Sequence, residues 1–305
     1  MQRYIVKRIG ESVLALFVLS IIIFLMVRLT GDPALLMLPP DAGLEALEDL
    51  RHSMGLDKPL IVQYGLFIGD YAQGSFGDSL RSKTPVSELV KDRLPNSIKL
   101  IGAAFLIVVL ISIPLGVLSA VYKGTWIDTV STGIAILGQA IPVFWLGILM
   151  IQLFTVQLGW LPSSGMGGFK HYIMPAFSLG FFTVAAITRL LRSSLLEALD
   201  SEYIKMARIK GISEFKVVWK HGLRNSLISV ITLGGIYIAI LITLGILVEV
   251  VFAWPGMGRL LFQGIVFRDF PVVQAVVMIS AGIVITSSLL VDIAYAYLDP
   301  RIRFQ

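Results

Sequence analysis

Three histidines, His52, His171 and His221, are the first residues to test for chemistry, because imidazole serves as general base or metal ligand near neutral pH. They lie far apart, in loops or at the ends of apolar runs. That placement supports neither a metal site nor a Ser-His-Asp arrangement. There is no cysteine, so disulfides and thiolate chemistry are excluded. No G-x-x-x-x-G-K-[ST] run occurs, so this chain has no phosphate-cradling loop of its own. Glu249 and Asp292 stand inside apolar runs, where an ionisable group is costly and by default suspected of function. Both fall near the ends of those runs. An ion-driven carrier would place acids near the midplane, so proton or sodium coupling is disfavoured. Arg189 and Arg192 read as side chains snorkelling at the end of a fourth apolar run. No catalytic, cofactor-binding or metal residue is assigned.

The elements around these residues are those of a membrane protein. Of the 305 residues, 56% are hydrophobic and 15% charged, with mean hydropathy +0.84; soluble domains average about 25% charged. Spans need about 20 mostly apolar residues. Six qualify: Ile9–Leu29, Ile98–Val121, Ile134–Val156, Met174–Leu195, Leu227–Phe252 and Val272–Tyr297. The basic N-terminal run is too long for a signal h-region, and no A-x-A-like site follows it, so it is read as a retained first span. Pro142 lies inside the third segment, which is read as a kinked, tilted helix in preference to a re-entrant break. With the N-terminus in the cytoplasm, fourteen basic residues fall inside and three in the short outside loops. The expectation is an all-α polytopic protein with six transmembrane helices and both termini cytoplasmic. Residues 1–29 form the first helix, 30–97 a long external loop, and 98–305 a core with the other five helices and a cytoplasmic loop, 197–225. The external loop carries interleaved Leu, Ile, Tyr and Phe and is expected to be an ordered cap with short helices. "FAWPGMG" places Trp254, Pro255, Gly256 and Gly258 in a tight external turn, a rigid hairpin at the outer mouth.

The basic segment between spans four and five needs a separate account. Glu197 to Arg224 holds ten charged residues. At about 2.5–3.5 kcal/mol each, they would cost roughly 25–35 kcal/mol in the bilayer centre, so the segment lies outside the hydrocarbon. Ser201 can cap a helix running to Lys210, Gly211 can end it in a left-handed conformation, and Ser213 can cap a second helix. On that second helix Phe215, Val218 and Trp219 share a face, while Lys216, Lys220 and Arg224 line another at spacing four. Positive-inside topology and anionic lipid explain the charge. A docking surface for a cytoplasmic partner explains both the charge and the apolar ridge.

"YIKMARIKGISEFKVVWKHGLRNS" resembles the cytoplasmic loop of permease subunits of ATP-binding-cassette importers. The general pattern is Glu-Ala-Ala, three residues, then Gly. Here Lys205, Met206 and Ala207 precede Gly211, so only Ala207 and Gly211 match. The peptide/nickel branch fits better, through Tyr203, Ala207, Arg208, Lys210, Gly211, His221, Arg224 and Asn225. "GDP" (Gly31–Pro33), "GLDKPLIVQY", "FGDS", "HYIMPAFSLG", "RLLRSSLLEAL", "EVVFAWPGMGRLL", "RDFPVVQ" and "VDIAYAYLDPRIR" extend the resemblance over nearly the whole chain. It is most similar to the first permease subunit of dipeptide and oligopeptide importers. The resemblance implies a type I importer permease in the bacterial inner membrane that carries peptides, with nickel complexes, glutathione or short sugars as alternatives. It implies a second permease subunit, two cytoplasmic ATP-binding subunits that hold ATP and Mg, an extracellular or periplasmic binding protein, surrounding lipid, and no nucleic acid. Tyr203, Ala207, Arg208, Lys210, Gly211, Phe215, Trp219 and His221 would form the ATPase-coupling loop. Trp254, Pro255, Gly256 and Gly258 would form an external gate turn beside the binding protein.

Overall fold

The computed structural model describes residues 2–30, 34, 43–53 and 55–298. The Gly31–Pro33 turn and the basic tail with Arg301 and Arg303 lie outside them. Among the described residues the chain is helical, in the order α1 (Gln2–Thr30), α2 (Leu44–Ser53), α3 (Leu60–Ala72), α4 (Val86–Val121), α5 (Trp126–Ala140), α6 (Val143–Met150), α7 (Lys170–Leu199), α8 (Glu202–Ile209), α9 (Glu214–Lys216), α10 (Leu223–Val251), α11 (Met257–Val266) and α12 (Phe270–Leu298). α6 continues as a π-helix over Ile151–Gln157, and α9 over Val217–Gly222.

Among the described residues, five helices are long and apolar enough to cross a membrane, within Ile5–Leu29, Val86–Val121, Lys170–Leu199, Gly234–Val251 and Phe270–Ile293. A sixth span exists only if α5 and α6 count as one. They do not form the kinked helix expected over Ile134–Val156: Trp126–Ala140 and Val143–Gln157 meet at 106°. Pro142 has no N–H to donate and forces the residue before it out of the α region. Ile141 (φ −86°, ψ 121°) and Pro142 (φ −61°, ψ 134°) are both extended, and two extended residues in succession turn the chain. Each arm, at about 1.5 Å per residue, falls short of the roughly 30 Å hydrocarbon thickness.

The described residues divide into two compact units, one of 97–255 with 287 onward, the other of 2–96 with 256–286. The first is organised around α7, 67% of whose most apolar window is buried. Small residues explain why this helix is central. Without a hydrophobic drive between helices in lipid, association depends on close packing, which small side chains permit. A Cβ on Gly138 of α5 would sit 2.6 Å from the Ala185 Cβ of α7, so no larger residue fits there. The core proper joins Leu100, Val143, Met174, Leu179, Leu241 and Phe252, closed by fully buried Trp254. The second unit packs Val86 and Val90 against Met257, Leu260, Val272 and Val276. Its 79–81 loop is fastened by the buried Asp269 carboxylate, which accepts from the Ser79 hydroxyl (2.5 Å) and the Leu80 backbone N–H (3.0 Å).

Candidate functional site

The segment from Ser201 to Gly222 is a helix, a glycine turn and a second helix, as its sequence suggests, but the devices that hold it differ. Ser201 and Ser213 occupy the N-cap positions, yet neither side chain caps; the Ser201 hydroxyl donates back to the Ala198 carbonyl instead. α8 ends at Ile209, one residue before the expected Lys210. Gly211 has φ +74°. Around it the Ile212 N–H donates to the Ala207 carbonyl (3.2 Å) and the Gly211 N–H to the Arg208 carbonyl (2.9 Å). This is a Schellman closure, in which the residue after glycine also packs on the residue four before it. Ile212 does so, against Ile204, Ala207 and Val217. The Ala-x-x-x-Gly spacing therefore has a local cause: Ala207 supplies the accepting carbonyl and a small buried contact, and Gly211 supplies the left-handed backbone.

An ion pair spans the turn. Arg208 donates from Nε to Glu214 Oε2 (3.1 Å) and from Nη2 to Oε1 (2.7 Å), a two-pronged clamp from α8 to α9. The hydrogen bonds from Arg208 hold the Glu214 carboxyl below its ordinary range, and the same bonds raise Arg208.

The second helix departs from expectation in its winding. After Lys216 it opens into a π-turn, and Val218 is buried with Val217 rather than on a ridge with Phe215 and Trp219. Phe215 and Trp219 still neighbour each other, with ring centroids 6.1 Å apart. The wider winding lets Gly222 face α7, where an added Cβ would lie 2.9 Å from Leu195 Cδ1. The outward face carries Tyr203, Met206, Ile209, Phe215 and Trp219, exposed by 45, 54, 79, 73 and 39%. Lys205, Arg208, Lys210, Lys216 and Lys220 are exposed among them. His221 is half-buried in the π-turn.

A second cluster escaped the sequence reading. Arg192, read as a snorkelling side chain, is paired: its Nε and Nη2 donate to Asp128 Oδ1 (2.7 Å) and Oδ2 (2.8 Å). Asp128, on the first turn of α5, also accepts from the Ser119 hydroxyl (2.6 Å) and the Gly124 N–H (3.0 Å). The cluster joins the end of α4, the start of α5 and α7 two turns before the Ser201–Gly222 segment. Nothing in a 64-residue separation signals it.

The other candidates are dispersed. His52 pairs with Asp57 (2.7 Å) on the surface, and the Nδ1 of His171 is buried without a hydrogen-bond partner among the described residues. No group of three His, Asp or Glu suited to a metal occurs among the described residues. Glu249 is buried and accepts from the Ser97 hydroxyl (2.5 Å). In the turn after α10, Trp254 is fully buried, edge-on to Tyr172 (4.7 Å). The left-handed residue there is Ala253 (φ +46°), while Gly256 is extended (φ −113°, ψ −171°) at the start of α11. The boundary between units falls between Pro255 and Gly256. Trp254 and Pro255 thus belong to one unit, Gly256 and Gly258 to the other. Ser178 and Thr183 of α7 are buried within the first unit.

These features define a class: helical, multi-pass membrane subunits that present a helix–glycine turn–helix on their surface between two spans. Comparison supplies the family. Residues 112–304 match the binding-protein-dependent transport system inner membrane component family, and residues 1–101 match its N-terminal family. The chain is 39% identical over 306 residues to the glutathione transport system permease protein GsiC of Escherichia coli (strain K12), with 100% of both chains covered. GsiC of Shigella flexneri serotype 5b (strain 8401) is equally similar, 39% over 306 residues and the same coverage. Two solved structures share the fold. An inward-facing MetNI methionine ABC transporter has TM-score 0.59 at 20% identity, covering 69% of this chain and 96% of that one. An amino acid ABC transporter with histidines has TM-score 0.56 at 16% identity, covering 69% and 94%. The chain belongs to the binding-protein-dependent inner membrane component family. It is a permease subunit of an ATP-binding-cassette importer, multi-pass in the bacterial inner membrane, a transport component and not a catalyst. Members of this family work with a partner permease, ATPases and a binding protein.

Proposed function

We propose that this chain forms one half of the pore of an ATP-driven importer of short peptides, the other half being a homologous second permease subunit. Two cytoplasmic ATPases, which bind the ATP and Mg, dock on the 197–225 segment, and a binding protein delivers substrate at the opposite membrane face. The single observation behind the docking assignment is the outward face of α8 and α9. Five large apolar side chains stand exposed among basic ones on a turn closed by backbone hydrogen bonds. An apolar patch rimmed by charge and rich in aromatic, Met and Arg residues has the make-up of a protein interface. Tyr203, Arg208, Lys210, Phe215, Trp219 and His221 are the residues assigned to it, with Ala207 and Gly211 as its frame. ATPase closure would move this segment as a lever and rock the spans between inward-open and outward-open states. Trp254, Pro255, Gly256 and Gly258 are assigned to the external gate turn.

Both termini are placed in the cytoplasm, in keeping with the positive-inside bias. Peptide as substrate rests on the resemblance to the peptide branch. A second reading, glutathione, is favoured by the relatives at 39% identity; glutathione is itself a tripeptide, so the two differ in breadth of specificity. The test is uptake by the reconstituted complex with its binding protein, offered a dipeptide, an oligopeptide, glutathione, a nickel chelate and a disaccharide. Peptide uptake that stops with hydrolysis-dead ATPases is expected. Uptake of the chelate or sugar alone defeats the peptide assignment. Uptake that survives dead ATPases and collapses with the proton gradient defeats ATP coupling.

A further inference from the structure

Helix α3 is apolar on more than one side: Tyr64, Phe67 and Ile68 are half-buried, and aliphatic residues stand exposed. Its buried residue is Gln63 (8% exposed), while Leu60, Ile61, Val62 and Leu66 are exposed by 56, 83, 42 and 47%. A helix bathed in water turns its aliphatic side chains inward. Gln63 is fully used where it is: its Nε2 donates to the Leu56 carbonyl (3.0 Å) and the Lys58 carbonyl (2.8 Å), and its Oε1 accepts from Arg28 Nε (2.9 Å). The rotation of the helix is therefore fixed by hydrogen bonds.

The helix against which α3 lies is itself a membrane span. The Tyr64 ring stands edge-on to Phe17 (6.2 Å) and Phe24 (5.5 Å), the Tyr64 and Ser20 hydroxyls share a hydrogen bond (2.7 Å), and Phe67 packs on Phe24 (5.7 Å). These partners run from the midpoint of the Ile5–Leu29 apolar segment of α1 toward its C-terminal end. Beside that segment α3 reaches hydrocarbon depth. Arg28, at the end of α1, carries its guanidinium to Gln63 and over the Phe24 ring (4.9 Å), so a charge stands beside α3 at the end of the apolar segment. α3 has 13 residues, about 20 Å, too short to cross. Charge stands at both of its ends, Asp57 and Lys58 before it and Asp70 in its last turn. Tyr64 and Tyr71 are the residue type favoured at membrane interfaces. A short helix with polar ends and an outward aliphatic edge lies in the interface plane.

We propose that α3 is a membrane-anchoring helix, its Ile61–Val62–Leu66 face immersed in the acyl chains of the leaflet reached by the C-terminal half of α1. The segment between the first two spans is then moored to lipid midway along its length, and does not stand wholly in water as a cap. The occupant is lipid because this face is aliphatic and stands on a helix packed beside a span whose own Phe17, Leu25, Met26 and Leu29 are exposed by 52, 40, 61 and 86%.

The chain has no cysteine, so single sites can be labelled. Ile61→Cys, which removes a side chain 83% exposed, and Ser82→Cys, an exposed loop control, each receive a nitroxide in the full complex in lipid nanodiscs. Collision rates with molecular oxygen and with a water-soluble nickel chelate are then measured. The expected result is an oxygen-to-nickel ratio several-fold higher at position 61 than at position 82. Equal ratios would put α3 in water and overturn the proposal. Exclusion of both probes at position 61 would also overturn it, because the edge would then be covered by protein, the second permease subunit being the candidate.

Discussion

Gly211 has φ +74°, and a Cβ built on it meets nothing within 4 Å. The penalty for any other residue there is backbone strain alone, about 1–2 kcal/mol for an L-residue in the left-handed region, least for Asn and most for a β-branched side chain. Gly211→Val should therefore open the Schellman closure and impair transport and ATPase co-purification, while Gly211→Asn stays near the parent. Wild-type transport by a normally expressed valine variant would defeat the lever assignment. The Arg208–Glu214 clamp across the same turn is weaker. Both partners are exposed, 42% and 58%, and such pairs contribute about 0.2–1 kcal/mol. Because the folded-state Glu214 carboxyl is depressed by Arg208, its contribution is complete above the ordinary carboxylate range and is lost as pH falls through the folded value. Glu214→Gln should mimic the acid form at neutral pH. Amide exchange of 202–216 is expected to quicken slightly in that variant, by less than in Gly211→Val; the reverse order would make the ion pair the principal closure.

At the scale of elements, the junction of α4, α5 and α7 rests on Asp128. The Asp128 side chain is 10% exposed and that of Arg192 28%. Removing one member of a fully buried pair costs roughly 3–5 kcal/mol, because the other charge is stranded, whereas replacing both by apolar residues is often neutral. Partial exposure of Arg192 places this pair at or below that range. Asp128→Ala is expected to lower the unfolding midpoint of the purified complex clearly, and Asp128→Leu with Arg192→Met to recover most of the loss. A double variant as unstable as the sum of the singles would show that the two residues act separately. The junction joins α5 to the helix that leads into the coupling segment. A weakened junction should therefore also reduce substrate moved per ATP hydrolysed.

For the whole molecule, the basic residues make a topological prediction. Single cysteines at Ser82 and Ser213, both exposed, report the two sides of the membrane. On intact cells an impermeant thiol reagent should label position 82 and spare 213. Labelling of 213 alone would invert the orientation. The sequence bias behind this prediction is long-range and additive over many residues, which is why it can be read without a structure, while the fold alone is silent on which face is inside.

What a one-dimensional reading could reach was set by how local each cause is. Apolar runs long enough to cross a bilayer, the charged segment too costly to bury, and the glycine that ends α8 are each decided within one short stretch of chain, so the helical membrane architecture and the Ala207–Gly211 turn were legible. Ser201 and Ser213 were located correctly as N-caps, but the bond each hydroxyl makes depends on backbone placement that residue type does not specify. The 106° break at Pro142 lay at the margin: proline signals an interruption, and packing around it decides between a kink and a turn. Asp128 with Arg192, Ser97 with Glu249 and Gln63 with Arg28 are pairings across 64, 152 and 35 residues. No periodicity encodes them, because they exist only once separate helices lie side by side. The exposed aliphatic face of α3 belongs with them. Its aliphatic pattern reads equally as a core-facing or a lipid-facing helix, and only the side chains it turns toward α1 decided which.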